Sequence, residues 1–183
     1  MKPLKLNRPY MILLVGIPGS GKTFFGKKFA STFDASFVES QFYKNLARDE
    51  ASGAKIVNDV ISKIISSKLP IVIEGFGHTK KERKELMKFA EKNNHKPLFV
   101  WVQTDPVAAA DRVAKRTTNE EFQKMANKFQ PLGREEPHVV ISGKHTYQTQ
   151  VRAVLRKIAD DRPPLPAITL EKNGRKPIYG DRL

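Results

Sequence analysis

Two rhythms alternate along the 183-residue chain. Short apolar runs of strand length lie at Tyr10 to Val15, Ala35 to Glu39, Ile71 to Glu74, Pro97 to Val102 and Val139 to Ser142. Between them, apolar residues recur at the one-face spacing of a helix. Phe25, Phe29, Ala30 and Phe33 form one such stripe, and Ile56, Val57, Val60, Ile61, Ile64 and Ile65 another. A basic stretch after Thr79, a segment opening at Asp105-Pro106 and the series Val151, Val154, Leu155 and Ile158 complete the helical set. Continuous β-branched runs such as Ile71-Val72-Ile73 are typical of parallel strands buried on both faces. Strands alternating with helices predict an α/β chain with a five-stranded parallel sheet in three α/β/α layers. Right-handed crossovers would then bring Glu39, Glu74, Thr104, Asp105 and Ser142-Gly143 to one end of the sheet, where ligands bind.

Capping residues sharpen the boundaries. Thr79 with Glu82, and Thr118 with Glu121, have the spacing of capping boxes. Asp105 reads as an N-cap with Pro106 at the first helical position, and Thr146 opens the last helix. From 117 to 137 a charged segment with one apolar face (Phe122, Met125, Ala126, Phe129) interrupts the alternation and ends at Pro131 and Gly133. Its place before the last strand suits a small helical lid. The main domain is thus expected over 1–160. Residues 161–183 read as a proline-rich linker (Arg162-Pro163-Pro164-Leu165-Pro166) and either a hairpin around Asn173-Gly174 or a basic tail.

The chemistry concentrates where the first strand meets the first helix. Gly16-Ile17-Pro18-Gly19-Ser20-Gly21-Lys22-Thr23 matches G-x-x-x-x-G-K-[ST] at each fixed position, between a strand and a helix as that motif requires. A helix start offers unpaired backbone N–H groups and partial positive charge. Glycines let several of those groups face one anion. Gly16, Pro18, Gly19, Ser20, Gly21, Lys22, Thr23 and Phe24 are therefore the expected phosphate cradle, Lys22 adding a full charge and the Thr23 hydroxyl a ligand for Mg²⁺.

Composition narrows the setting. The chain has no cysteine, so disulfides, thiol nucleophiles and thiolate zinc sites are excluded, which fits a reducing cytoplasm. No apolar run is long enough to span a membrane. A formal charge of +14 suits a polyanionic partner such as nucleic acid, or else a lysine-rich solvated surface, with much of the excess in Lys80 to Lys96. The histidines 78, 95, 138 and 145 lack metal-ligand spacing. His78 alone follows a strand end where an acceptor would sit, Trp101 falls in a buried-strand pattern, and Lys144 and His145 would border a base.

With these residues in view, the chain resembles the P-loop kinases, in particular the polynucleotide kinase and zeta toxin group of AAA-type P-loop ATPases, over roughly residues 10 to 160. The resemblance implies a P-loop NTPase fold with strand order 2-3-1-4-5, ATP and Mg²⁺ as cofactors, and transfer of a γ-phosphate to a hydroxyl of a nucleotide, nucleic-acid end or small metabolite. Glu74 fits the acidic end of a Walker B strand and would reach Mg²⁺ with Thr23. Arg112 and Arg116, on one helix face, resemble the arginines leading into these kinases' lid and would contact the transferred phosphate. Glu74 to Thr79 also resembles the Asp-Gly-Phe-Pro-Arg-Thr run of adenylate kinases, with His78 in the arginine position. Where the group carries a catalytic Asp after the second strand, this chain has Ser40. Glu39 and Glu74 are the two candidates for that role. The sequence thus supports a kinase acting on a small-molecule or nucleic-acid acceptor. It leaves open a nucleotide-binding module or slow ATPase that binds nucleic acid, and a nucleoside monophosphate kinase.

Overall fold

The computed structural model describes residues 4–6 and 8–161. In chain order the elements are β1 (Tyr10–Val15), α1 (Lys22–Phe33), β2 (Ser36–Glu39), α2 (Ser40–Lys44), α3 (Glu50–Ser66), β3 (Ile71–Glu74), α4 (Lys80–Lys92), β4 (Lys96–Gln103), α5 (Pro106–Val113), α6 (Asn119–Lys128), β5 (His138–Ser142) and α7 (Tyr147–Asp160). All strand pairings are parallel, in the order β2-β3-β1-β4-β5. That is the expected sheet. The hairpin or tail expected near Asn173-Gly174 lies outside the described residues.

Central β1 is buried at every position because the sheet is covered on both sides. Its side chains alternate between the faces. Tyr10, Ile12 and Leu14 meet Phe25, Phe29 and Phe33 of α1 and Val154 and Ile158 of α7. Met11, Leu13 and Val15 meet Val57, Ile61 and Ile65 of α3 and Ala90 of α4. Each large apolar side chain so buried contributes about 1.5–3 kcal/mol. Trp101 is half-buried rather than enclosed, and Phe129 covers it with ring centroids 5.6 Å apart.

The caps behave as expected with one difference. Thr118 and Glu121 form a complete capping box. At α4, Thr79 Oγ1 accepts from the Glu82 N–H at 3.2 Å, but the Glu82 carboxylate reaches past Thr79 and accepts from the His78 N–H at 3.0 Å. Glu82 therefore fixes the β3–α4 loop instead of closing a box. α3 starts at Asp49, whose carboxylate accepts from Ser52 N–H, well ahead of its apolar stripe. The short α2 has no periodic signal in the sequence.

The lysine-rich α4 is solvated on one face only. Arg83, at 0% exposure, lies on the same helical stripe as Leu86, Met87 and Ala90. Its Nε donates to Glu136 Oε1 at 2.5 Å and its Nη2 to Oε2 at 3.1 Å. Nη1 donates to the carbonyls of Gly77 and Gln130, and Nη2 also to that of Pro131. Glu136 is itself 3% exposed and accepts from Gly133 N–H at 2.7 Å. This pair ties the end of the 117–137 segment to the β3–α4 loop, and Gln130 N–H donating to His78 carbonyl at 2.8 Å adds a second tie.

Candidate active site

The carboxyl ends of β1, β3 and β4 converge on the glycine loop. Gly19 has φ +75°, and a Cβ there would run into the Ala109 carbonyl of α5, so the loop can lie against that helix only as glycine. Thr104, just after β4, donates its hydroxyl to Ser20 carbonyl at 3.1 Å. Gly143 N–H, after β5, donates to Gln103 carbonyl at 2.7 Å. Asp105 turns away and caps α5 through Ala108 N–H. The loop is thus braced from the end of β4.

A cavity of about 480 Å³ opens on this loop. Pro18, Gly19, Gly21, Lys22, Thr23 and Phe24 form its floor. Glu74, Arg112 and Arg116 also line it. Gly16 and Ser20 lie beneath as the loop's frame. Lys22 Nζ donates to the carbonyls of Gly16 and Ile17 at 3.0 and 2.8 Å. Burial presses its pKa below the usual 10.5, with the Glu74 carboxylate opposing. Arg112 Nη1 donates to Gly19 carbonyl at 3.1 Å, which holds the guanidinium over the loop.

Glu74 is a carboxylate whose ionisation its surroundings oppose. Burial raises its pKa above 4.5; a hydrogen bond with Thr23 and the charge of Lys22 pull it down, while neighbouring Glu39 raises it further. Its buried Oε2 has no hydrogen-bond partner among the described residues. An unsatisfied carboxylate oxygen beside the Thr23 hydroxyl is chemically suited to Mg²⁺ or one of its waters. Among the described residues no group of three or more His, Cys, Asp or Glu could hold a metal alone. Such an ion would complete its shell with phosphate oxygens and water, as Mg²⁺ does. The buried Ser20 hydroxyl likewise has no partner among the described residues.

On the far side of Lys22 and Glu74 a second cavity, about 410 Å³, is lined by Glu39, Ser40, Lys44, Phe76, His78 and Lys128 among others. Lys22 and Glu74 also line it, so the two spaces meet at those side chains. Glu39 pairs with Glu74 in the β2–β3 register and has Lys27 at 3.8 Å. Ser40, buried, packs against Gly75, whose φ of +97° leaves no room for a Cβ beside the serine hydroxyl. A third cavity, about 630 Å³, lies across the loop between Ile17, Thr104, Ser142 and Lys144; His145 does not line it.

The expected donor-site residues therefore come together, and Glu39 lines only the second cavity. Lys44, Phe76 and Lys128 on that cavity, and the Arg83–Glu136 pair behind it, were not singled out from the sequence. Lys44 and Lys128 carry no pattern that distinguishes them from other surface lysines. Arg83 did leave a signal: a charged residue on the core-facing stripe of an amphipathic helix.

A family model for an AAA domain matches residues 11–132, from the middle of β1 past α6. The chain belongs to the AAA-domain family. No curated protein is significantly similar to this AAA domain in sequence. Among solved structures, a gluconokinase from Sinorhizobium meliloti 1021 is similar at TM-score 0.65 and 18% identity, covering 85% of this chain and 94% of that one. An unliganded sugar kinase from Janibacter sp. HTCC2649 reaches 0.61 at 12% identity, covering 82% and 95%. A shikimate kinase from Acinetobacter baumannii in complex with shikimate reaches 0.58 at 17%, covering 85% and 96%. The AAA domain thus has the fold of P-loop kinases. No helix among the described residues is long and apolar enough to cross a membrane.

Proposed function

We propose that this AAA domain is an ATP-dependent phosphotransferase that moves the γ-phosphoryl group of ATP to a hydroxyl of a small molecule. The observation that carries this reading is the pair of cavities meeting at Lys22 and Glu74. A hydrolase needs room only for water beside its phosphate. A second space of about 410 Å³ beyond the loop has room for an acceptor of metabolite size. The kinases named above share the fold and make such a transfer a natural use of it.

In this reading the loop N–H groups and Lys22 hold the β- and γ-phosphates, and Arg112 and Arg116 neutralise charge that spreads onto the transferred group. Thr23 and Glu74 would hold Mg²⁺, which would supply positive charge to offset that of the phosphates. The acceptor oxygen forms the new bond to phosphorus as the bond from phosphorus to the β–γ bridging oxygen breaks. Glu39, which lines the acceptor side alone, takes the hydroxyl proton, and the products are ADP and the phosphorylated acceptor. Ser40 is a packing residue against Gly75 rather than the base.

The test is acceptor-dependent transfer of label from γ-labelled ATP with Mg²⁺ across sugars, hydroxy acids, nucleosides and 5′-hydroxyl oligonucleotides, beside Lys22→Ala. Transfer to at least one small acceptor, lost in the variant, is expected. ATP hydrolysis with no transfer across the panel would favour a slow ATPase instead. The charge of +14 supports one further reading, a nucleic-acid end as acceptor. It predicts oligonucleotide binding that weakens steeply with salt.

A further inference from the structure

Phosphoryl transfer explains Lys22, Glu39 and Glu74 in the lining of the acceptor-side cavity. It does not explain the rest of that lining. There Lys44 arrives from the end of α2, Lys128 from the end of α6 and His78 from the β3–α4 loop. Elements far apart in sequence thus bring three basic groups to one small space. Neither Lys44 nor Lys128 belongs to an ion pair among the described residues. Lys44 Nζ instead lies 5.9 Å from the Phe76 ring centroid, at the border of the same cavity. The acids facing this space are Glu39, Glu74 and Glu82; Glu82 is committed to His78 N–H, and Glu39 has Lys27 beside it.

Resting on the assignment of this cavity to the acceptor, we propose that the accepted molecule carries an anionic phosphate or carboxylate as well as its hydroxyl, and that Lys44, Lys128 and His78 hold the anion. Two uncommitted ammonium groups on one rim repel each other, and an anion between them relieves that repulsion. The imidazole sits where the fields overlap. Burial pushes the His78 pKa down from 6.5; Glu82 opposes this, and Lys128, Lys22 and Lys44 each add to the fall. A bound anion reverses the sign of the local field, so His78 gains a proton as the anion arrives. Because Lys128 ends α6, the same anion links α2 to the 117–137 segment and closes the cavity over the acceptor. A neutral polyol can hydrogen-bond these groups but brings no charge to offset theirs.

The test reads His78 by NMR in the full chain, with the phosphate loop filled by Mg²⁺ and a non-hydrolysable ATP analogue. The probes are glycerol 3-phosphate, glycerate and glycerol at constant ionic strength, and the His78 resonance is identified by its loss in His78→Asn. Either anion should raise the His78 titration midpoint by about one pH unit, and glycerol should leave it in place. Which anion acts identifies phosphate or carboxylate as the partner. The response should vanish in Lys44→Ala/Lys128→Ala while nucleotide affinity stays. A midpoint unmoved by both anions, or moved equally in the double variant, overturns the proposal. No transfer chemistry enters this readout. A His78 response without phosphorylation of any acceptor would remove the kinase reading and keep the anion site. Phosphorylation confined to neutral acceptors would do the reverse.

Discussion

The two cavities that meet at Lys22 and Glu74 are built from different materials. The donor side is mostly backbone: glycines at positive φ, the N-terminus of α1 and carbonyls that hold Lys22 and Arg112. The acceptor side is mostly long side chains, Lys44, His78, Lys128 and Glu39, carried by α2, a loop, α6 and a strand end. A backbone site recognises what all nucleotides share, and its geometry is determined by a few contiguous residues. A side-chain site can change its ligand by changing single residues on separate elements. On the proposed reading, phosphate chemistry is constant on one side and specificity resides on the other.

That contrast can be broken at several points. Arg83→Gln should have the largest effect. It leaves Glu136 buried without its partner, at a cost of about 3–5 kcal/mol. Denaturant unfolding reads the loss, and acceptor KM should rise more than ATP KM, since the pair anchors the His78 loop. Equal effects on both substrates would mean the two sides are not separately supported. Lys22→Ala comes next. Removing one preorganised cationic donor should lower kcat by about 10²–10³-fold, and it should disturb both cavities. Arg112→Ala should cost about 1.5–3 kcal/mol of transition-state stabilisation, the worth of a hydrogen bond to a charged group. It should leave acceptor KM unchanged. Thr118→Ala, which removes the α6 cap, should cost only about 1 kcal/mol. Thermal unfolding checks it.

Glu74 gives the comparison a pH axis. Its folded pKa is raised, so between its unfolded value and that higher value the folded state binds more protons, and stability falls as pH rises. Above that window, an ionised Glu74 costs the fold stability while serving phosphate chemistry. Glu74→Gln should thus raise Tm at neutral pH even as activity drops. In the wild type, activity should fall as acidification carries Glu74 through a midpoint above 4.5.

The sheet and the donor side were legible because each depends on a local pattern. Ile71-Val72-Ile73 could bury both faces only in a parallel strand, and Gly16 to Thr23 states its purpose in eight consecutive residues. The same is true of Thr118-Glu121, whose box is a short-range bond. The second cavity depends on juxtaposition. Lys44, His78 and Lys128 become neighbours only through tertiary structure, and nothing local distinguishes Lys128 from Lys124. Glu82 differed for a smaller reason: its carboxylate had two N–H donors within reach, and the loop took it. Arg83 was readable in its helical position but hidden in a run of surface charge. Its partner Glu136 lies beyond α6, past the range of any periodic pattern.

The claim at the centre of this account is that donor and acceptor occupy the two cavities together and react across Glu74. Rapid-quench transfer of labelled γ-phosphate in wild type and Glu39→Gln, with binding of ATP and acceptor measured separately, tests it most directly. The account predicts near-wild-type binding of both ligands in the variant and a transfer rate lower by about 10²–10⁴-fold. Transfer at the wild-type rate, or competition between ATP and acceptor for one site, would contradict it.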